Sequence, residues 1–232
     1  MKISVLIPAF NEEHNIEETI KGIKKSEHKF DQDTKLSIVV IDDGSSDKTY
    51  EKARQTGVEV IRLDENVGKG GALNHGMKMA DGDIVVFLDA DLKESSHEFY
   101  KLVLPIIKGD ADAVIAKFKP VKTKGGFGLV KGLAFYGVRL FTGEKVTCAL
   151  SGQRAFKREI LEEIGRIPDG YGLEVGMLID ILKKGYKVKE VEVDMYHDVT
   201  GRNIKGFMHR GKQFFDILKV LLKKIGERKQ IA

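Results

Sequence analysis

The stretch Ile84-Val85-Val86-Phe87-Leu88 runs without alternation straight into Asp89-Ala90-Asp91, and it restricts the fold more than any other feature of the chain. Five consecutive apolar residues leave no polar face to turn to water, as in a strand buried on both sides of a parallel sheet. Such sheets bind ligands outside the C-terminal ends of their strands, which is where the two carboxylates fall. In an extended backbone residues i and i+2 point the same way. If the strand continues that far, Asp89 and Asp91 converge on one cation. Two hard oxygen donors suit Mg²⁺ or Mn²⁺ rather than a metal of Cys and His sites. Taken alone, the pair serves equally well to cap the next turn.

The pattern recurs through the first half of the chain. Ile3–Ile7 is a short apolar strand that Pro8-Ala9-Phe10-Asn11 interrupts. Proline cannot donate to a sheet ladder, so the strand is expected to end at Pro8. Asn11 is a fair N-cap for a helix over 12–25, with Glu12 and Glu13 complementing its dipole. Leu36–Ile41 is a second buried strand ending in Asp42-Asp43-Gly44-Ser45-Ser46-Asp47, where Ser45 or Ser46 can cap a helix over 47–56. A third strand at 58–63 precedes Gly68-Lys69-Gly70-Gly71 and a helix to about Ala80. With the strand at 84–88 this is β-α-β-α-β-α-β, the pattern of a parallel sheet with helices on both faces.

A helix over 96–108 and a strand over 113–116 are expected to continue it. The next section differs: Lys117, Lys119, Lys122 and Lys124 lead into Gly125-Gly126-Phe127-Gly128 and an apolar helix over Leu129–Leu140. So long, basic and Gly-rich a connection is expected to have functional mobility. Beyond it, 152–156 reads as a strand, 157–164 and 174–184 as helices, and 187–193 as an alternating edge strand. Phe207, Phe214, Phe215, Ile217, Leu218, Leu221 and Leu222 have helical spacing in a C-terminal segment. No repeat or linker divides the chain, so one domain over 1–232 is expected.

Composition excludes several classes. With 42% hydrophobic and 32% charged residues among 232, the chain is an ordinary globular protein with enough length for a core. A single cysteine, Cys148, allows no intramolecular disulfide and no cysteine-rich zinc site. The chain opens on strand-like residues, so no signal peptide is expected. No apolar run is long enough to span a bilayer. A cytoplasmic location is expected. A net charge of +4 does not point to nucleic acid, but residues 201–232 carry nine Lys/Arg against two acids, a local +7. That segment reads as a solvated helix or as a surface attracting phosphates or anionic lipid headgroups at the inner membrane face.

Four polar clusters thus follow successive strands: Pro8–Glu13, Asp42–Asp47, Gly68–Gly71 and Asp89–Asp91. Asp42 or Asp43 could accept from a uracil or ribose group. The loop at Gly68 lets backbone approach a ligand, and Lys69 could neutralise a phosphate. Neither the P-loop pattern nor G-x-G-x-x-G occurs. A receiver domain would carry its Asp pair after the first strand, and a sugar-nucleotide pyrophosphorylase would have a Gly-rich, Arg-containing loop there.

In their order and spacing, V-L-I-P-A-F-N-E-E, V-V-I-D-D-G-S-S-D, N-V-G-K-G-G-A-L-N and F-L-D-A-D resemble the GT-A nucleotide-sugar glycosyltransferases over residues 1–120. The resemblance implies an α/β GT-A fold, a mostly parallel central sheet flanked by helices, with 1–120 holding a nucleotide-diphosphate sugar. Pro8, Glu12 and Asp43 would line the nucleoside with Ala9 and Asp42 beside them. Gly68 and Lys69 would lie alongside, and Asp89 and Asp91, with Ala90 between, would hold the diphosphate through Mg²⁺ or Mn²⁺. Gly170–Asp180 followed by Tyr196-His197 is similar to glucosyl-3-phosphoglycerate synthases, which would assign Glu174 to the sugar and His197 to the metal. Ser151-Gly152-Gln153-Arg154 instead resembles the S-G-x-R segment of polyprenyl-phosphate glycosyltransferases such as dolichol-phosphate mannose synthase. The chain lacks the arginine-containing acceptor motif of the phosphoglycerate enzymes at Gly125–Gly128. Residues 121–232 would bind the acceptor, a phosphorylated small molecule or a lipid phosphate, through Arg154, Arg202 and Lys205. Lys69, Asp91 and Glu174 would be the catalytic groups, with Glu174 taking a proton where the acceptor is a hydroxyl. A homodimer is left open.

Overall fold

Seven strands form the sheet: β1 (Lys2–Ala9), β2 (Lys35–Asp42), β3 (Glu59–Arg62), β4 (Ile84–Phe87), β5 (Ala113–Phe118), β6 (Arg154–Lys157) and β7 (Val188–Val193). A computed structural model describes residues 1–119, 128–196 and 204–231, with side chains in the last segment described at 208 and 210–226. Lys122, Lys124, Gly125-Gly126-Phe127, His197 and Arg202 lie outside the described residues, as do the side chains of Lys205 and Phe207. The strand order is β3-β2-β1-β4-β6-β5-β7. All neighbours are parallel except that β6 runs antiparallel to both β4 and β5. The chain does not pass from β4 directly to an adjacent β5, as the β-α-β reading expects; β6 returns from a long connection and inserts between them. β7 is an edge strand, as its alternation predicts.

The period of two along β1 divides the core. Ile3, Val5 and Ile7 pack with Ile16, Ile20 and Ile23 of α1 (Ile16–Lys25) and with Leu102, Val103 and Ile106 of α4 (Tyr100–Ile107). Leu6 faces the other way with Val39, Ile41, Val85 and Phe87. There it meets Ala72 and Leu73 of α3 (Gly68–Met77) and Leu173 and Met177 of α7 (Leu173–Lys183). The α1 isoleucines are fully buried, each contributing about 1.5–3 kcal/mol relative to exposure. A third cluster joins Ile115 to Ala134 and Val138 of α5 (Leu129–Thr142), to Leu178 of α7, and to Ile217 and Leu221 of α8 (Ile204–Ile231). The short helices α2 (Thr49–Gln55) and α6 (Arg158–Ile164) complete the flanks. β1 lies between β2 and β4, so the order of the strands reverses there, and the crevice beyond their C-terminal ends is the switch-point site of an open sheet.

Several local expectations are corrected. β1 continues through Pro8 to Ala9. Leu6 O accepts from Leu88 N on the β4 side, and Ala9 O accepts from Asp43 N on the β2 side. Pro8 shares the parity of Leu6 but lies past Leu6↔Phe87, the last paired position of β4, so its missing N–H removes no ladder bond. Asn11 is not a helix cap. It adopts φ 57 and accepts from Ser46 N at 2.9 Å, and α1 starts later, with Glu17 and Glu18 in its first turn. Ser45 accepts from Asn11 N, and it is Asp47 that accepts from Thr49 N at the start of α2. The strand expected to carry Asp89 and Asp91 ends at Phe87, and Ala90-Asp91 form a turn. Thr19 Oγ1 donates to Ala90 O at 2.7 Å and draws the chain towards α1. The helix over 96–108 begins instead as a 3-10 turn over Lys93–Phe99. Ser95 Oγ and Ser96 Oγ there donate back to the carbonyls of Leu92 and Lys93, which competes with α-helical bonding.

Candidate active site

The loops that follow β1 and β2 are stitched together through backbone amides. Asn11 N donates to Ser45 Oγ at 2.9 Å, Glu12 N to Thr49 Oγ1 at 2.7 Å, and Glu13 N to Asp47 Oδ2 at 3.1 Å. Glu12 is half-buried, and its carboxylate accepts from Asn15 Nδ2 at 2.7 Å. Pro8 and Gly68 stand half-buried at the crevice.

The acidic pair after β2 is structural to a degree its sequence does not show. Asp42 is fully buried, with Oδ1 accepting from Ser45 N at 3.2 Å and Oδ2 lying 3.5 Å from Arg62 Nε without hydrogen-bond geometry. It is sealed from a ligand, which corrects its assignment to the nucleotide. Asp43 spends one oxygen on Val67 N at 2.8 Å and the other on Gly68 N at 2.9 Å. A carboxylate satisfying the first amides of α3 is an N-cap delivered from another strand. Ala9 and Ala90 are buried in the core on the α1 face, so their side chains pack inward rather than towards a ligand.

Lys69, in the first turn of α3, is the centre of the site. Its Nζ lies 2.6 Å from Asp89 Oδ1 and 3.4 Å from Glu174 Oε1. Burial disfavours the charged ammonium, but the Asp89 and Glu174 carboxylates outweigh it and hold Lys69 well above the ordinary lysine range. The second Asp89 oxygen accepts from Gln153 Nε2 at 2.8 Å. Gly152 leaves room for this contact: a Cβ there would stand 2.3 Å from Lys69 Nζ.

Two further contacts bring α7, and with it Glu174, against α3. Asn74 forms a reciprocal pair with Ile167, donating to its carbonyl and accepting from its amide at 2.9 Å each. Gly70 admits the Pro168 carbonyl, which a Cβ would meet at 2.1 Å. Asn74 closes the N-V-G-K-G-G-A-L-N run, so its position was visible, but its partner 93 residues away was not.

Arg154 does not face an acceptor, as the S-G-x-R resemblance implies. It is 2% exposed and donates to three carbonyls: Ser151 at 2.7 Å, Ala149 at 2.7 Å and Glu174 at 2.9 Å. Burial pulls its pKa down to about 10, with the Glu174 carboxylate opposing. It braces the backbone of Glu174. Gln153 is the polar side chain of this segment that reaches the site, and its Oε1, like Ser151 Oγ, is buried without a partner.

The donors suit a divalent cation. Asp89 and Asp91 supply hard oxygens of the kind Mg²⁺ and Mn²⁺ take, and the ammonium already resting on Asp89 shows that this carboxylate is placed to hold positive charge. Among the described residues no three acidic, His or Cys side chains form a metal cluster, so the remaining ligands would come from substrate oxygens, water or residues outside the described set. Lys69, Asp89 and Glu174 meet beyond the C-terminal end of the sheet, where an ammonium can face an anion and the carboxylates can hold a cation.

Residues 4–165 match the family model described as glycosyl transferase family 2. An uncharacterised protein of Methanocaldococcus jannaschii is 35% identical over 98% of this chain and 92% of its own length. A dolichol-phosphate mannosyltransferase of Pyrococcus furiosus is 31% identical over 94% of this chain, which spans 62% of that enzyme. The crystal structure of glucosyl-3-phosphoglycerate synthase from Mycobacterium tuberculosis with Mn²⁺, UDP-glucose and phosphoglyceric acid superposes with a TM-score of 0.78. It is 29% identical, covering 97% of this chain and 80% of that one.

Proposed function

This chain belongs to glycosyl transferase family 2 and is a glycosyltransferase of GT-A fold, and we propose that it moves a sugar from a nucleoside diphosphate sugar to a phosphate-bearing acceptor. The observation that carries the reading is Lys69, held charged between Asp89 and Glu174 at the switch-point crevice. Residues 1–120 hold the donor and 121–232 the acceptor. No helix among the described residues is long and apolar enough to cross a membrane.

Breaking the glycosyl–phosphate bond leaves negative charge on the departing nucleoside diphosphate. Lys69 meets that charge with an ammonium that α3 has already placed. Asp89 and Asp91 hold Mg²⁺ or Mn²⁺, with His197 as a further ligand, and a divalent cation there supplies electrostatic stabilisation of the diphosphate when bound. Glu174, on the first turn of α7 and braced by Arg154, hydrogen-bonds the sugar. Where the acceptor is a phosphate, its oxygen is already a nucleophile and no general base is needed. Arg202 and Lys205 are assigned to the acceptor phosphate.

Likeness to the mycobacterial synthase supports UDP-glucose and 3-phosphoglycerate as substrates. Likeness to the Pyrococcus mannosyltransferase, with the exposed Leu129, Tyr136 and Leu140 on α5, supports a polyprenyl phosphate as the second reading. The test is transfer from UDP-glucose and GDP-mannose to 3-phosphoglycerate, polyprenyl phosphate and the dephosphorylated analogue of each, with products identified by mass. Transfer confined to the phosphorylated acceptors is expected. Equal or better transfer to the uncharged analogues overturns the acceptor assignment.

A further inference from the structure

α8 turns an apolar row and a basic row to the same side. Met208, Phe215 and Leu222 recur every seven residues and are 72%, 62% and 58% exposed. Lys212, Lys219 and Lys223 are exposed between and beside them. At about 100° per residue, all six fall within a sector roughly 100° wide. The opposite side of the helix carries Ile217 and Leu221, buried against α5 and α7, so the core is already served and does not account for the outer row. From 208 to 226 the one acid is Asp216, half-buried in mid-helix beside the basic row, where it accepts from Tyr171 N.

The neighbouring helix continues the surface. Gly137 of α5 lies directly against Leu221, so the two helices run side by side. α5 exposes Leu129, Tyr136 and Leu140, carries Lys131 and Arg139, and contains no acid.

We propose that this face of α8 docks on an anionic lipid surface. The three apolar side chains enter the headgroup region and the lysines meet lipid phosphates, as in helices that lie in the plane of an interface. A second copy of the chain is the poorer occupant. A two-fold contact through this face would set the lysine row against itself, and like charges opposed across an interface are costly. A negative headgroup layer complements the same row. The inference stands on α8 and α5 and not on which acceptor the enzyme uses.

The full chain is sedimented with phosphatidylcholine vesicles and with phosphatidylcholine vesicles containing phosphatidylglycerol. The expected result is pelleting with the anionic vesicles, none with the neutral ones, and release as salt is raised. Lys219→Gln combined with Lys223→Gln should lower the partition coefficient about 30-fold, at roughly fivefold per cation. Phe215→Asp should lower it at least as far through lost apolar burial. All three positions are exposed, and unchanged circular dichroism and melting temperature confirm the fold of each variant. Equal pelleting with neutral vesicles, no pelleting with either, or undiminished binding by both variants overturns the proposal. So does a dimer in light scattering that Phe215→Asp dissolves, which would assign the face to a second copy.

Discussion

Replacing Gly152 with alanine tests whether the contact between Lys69 and Asp89 carries the activity. The new Cβ would stand 2.3 Å from Lys69 Nζ and 3.1 and 3.3 Å from the two Asp89 oxygens. Comfortable contacts need about 3.5 Å, so the ammonium has to retreat by about 1 Å while Asp89 gives only a few tenths. Gly152 is not among the positive-φ glycines, so alanine brings no left-handed strain. The Lys69 side chain is 33% exposed and has room to swing. Stability should therefore change by less than about 1 kcal/mol, a melting shift of about 2–4 °C at most for a chain of this size. Catalysis is far more sensitive, since a misplacement of about 1 Å can cost on the order of 100-fold. Initial rates of labelled-sugar transfer, read beside a thermal melt, separate the two effects. A loss of about 100-fold with a nearly unchanged melt is expected. Transfer at the normal rate refutes the role given to the contact, and an activity loss that merely follows unfolding assigns Gly152 to packing.

Asp89→Asn and Asp91→Ala should each abolish transfer while leaving the far-ultraviolet spectrum intact, and chelation of the wild type should stop turnover until Mg²⁺ or Mn²⁺ is restored; full turnover by a metal-free preparation contradicts both. Arg154→Ala should destabilise the fold by about 3 kcal/mol or more in urea denaturation, because three carbonyls lose a charged donor inside the protein. A variant as stable as the wild type but weakened in acceptor affinity would return Arg154 to the acceptor. His197→Ala should weaken Mn²⁺ affinity about 10-fold or more, the scale for disturbing a metal shell, with activity partly recovered at high metal; an unchanged metal titration removes His197 from the site.

β2 and β4 were legible because Ile38–Ile41 and Ile84–Leu88 are uninterrupted apolar runs ending in carboxylates, the pattern of burial on both faces, and β1 departs from it only by the buried Ser4. β6 was legible as a strand but not as to its place. Ala155 pairs with Val86 on one side and Val114 on the other, and nothing local to Arg154–Lys157 distinguishes that position from an edge. Asn11 shows a different ambiguity. Its short amide suits a helix cap and a left-handed turn equally well, and the choice is made by Ser45 and Ser46, more than 30 residues away. The 3-10 turn at Lys93–Phe99 had a local signal in Ser95 and Ser96, whose hydroxyls compete for the carbonyls an α-helix would use.

Asp89 and Lys69 stood out as candidates by their strand-end and Gly-rich settings, and Glu174 only through the resemblance of Gly170–Asp180; the structure brings the three side chains together. Asp42, Asp43 and Arg154 carry the same outward signal and serve the frame instead. A carboxylate that satisfies amides and a guanidinium that satisfies carbonyls are read from sequence as ligands' partners, because their actual partners are backbone groups that every residue possesses. Asp43 also shows why the distinction is not absolute. Each of its oxygens accepts one backbone donor and retains a second lone pair. A carboxylate fixed by two amides at the start of α3 keeps the Lys69 loop in place and is already oriented for a further donor. A side chain ordered before binding gives up less freedom on binding, and donors aligned in advance are what stabilise charge that develops in the reaction. On this reading Asp43 would serve both the frame and the nucleoside. Loosening Asp43 should be felt at Lys69 as much as at the nucleoside, because α3 begins on its two oxygens and carries the ammonium one residue later.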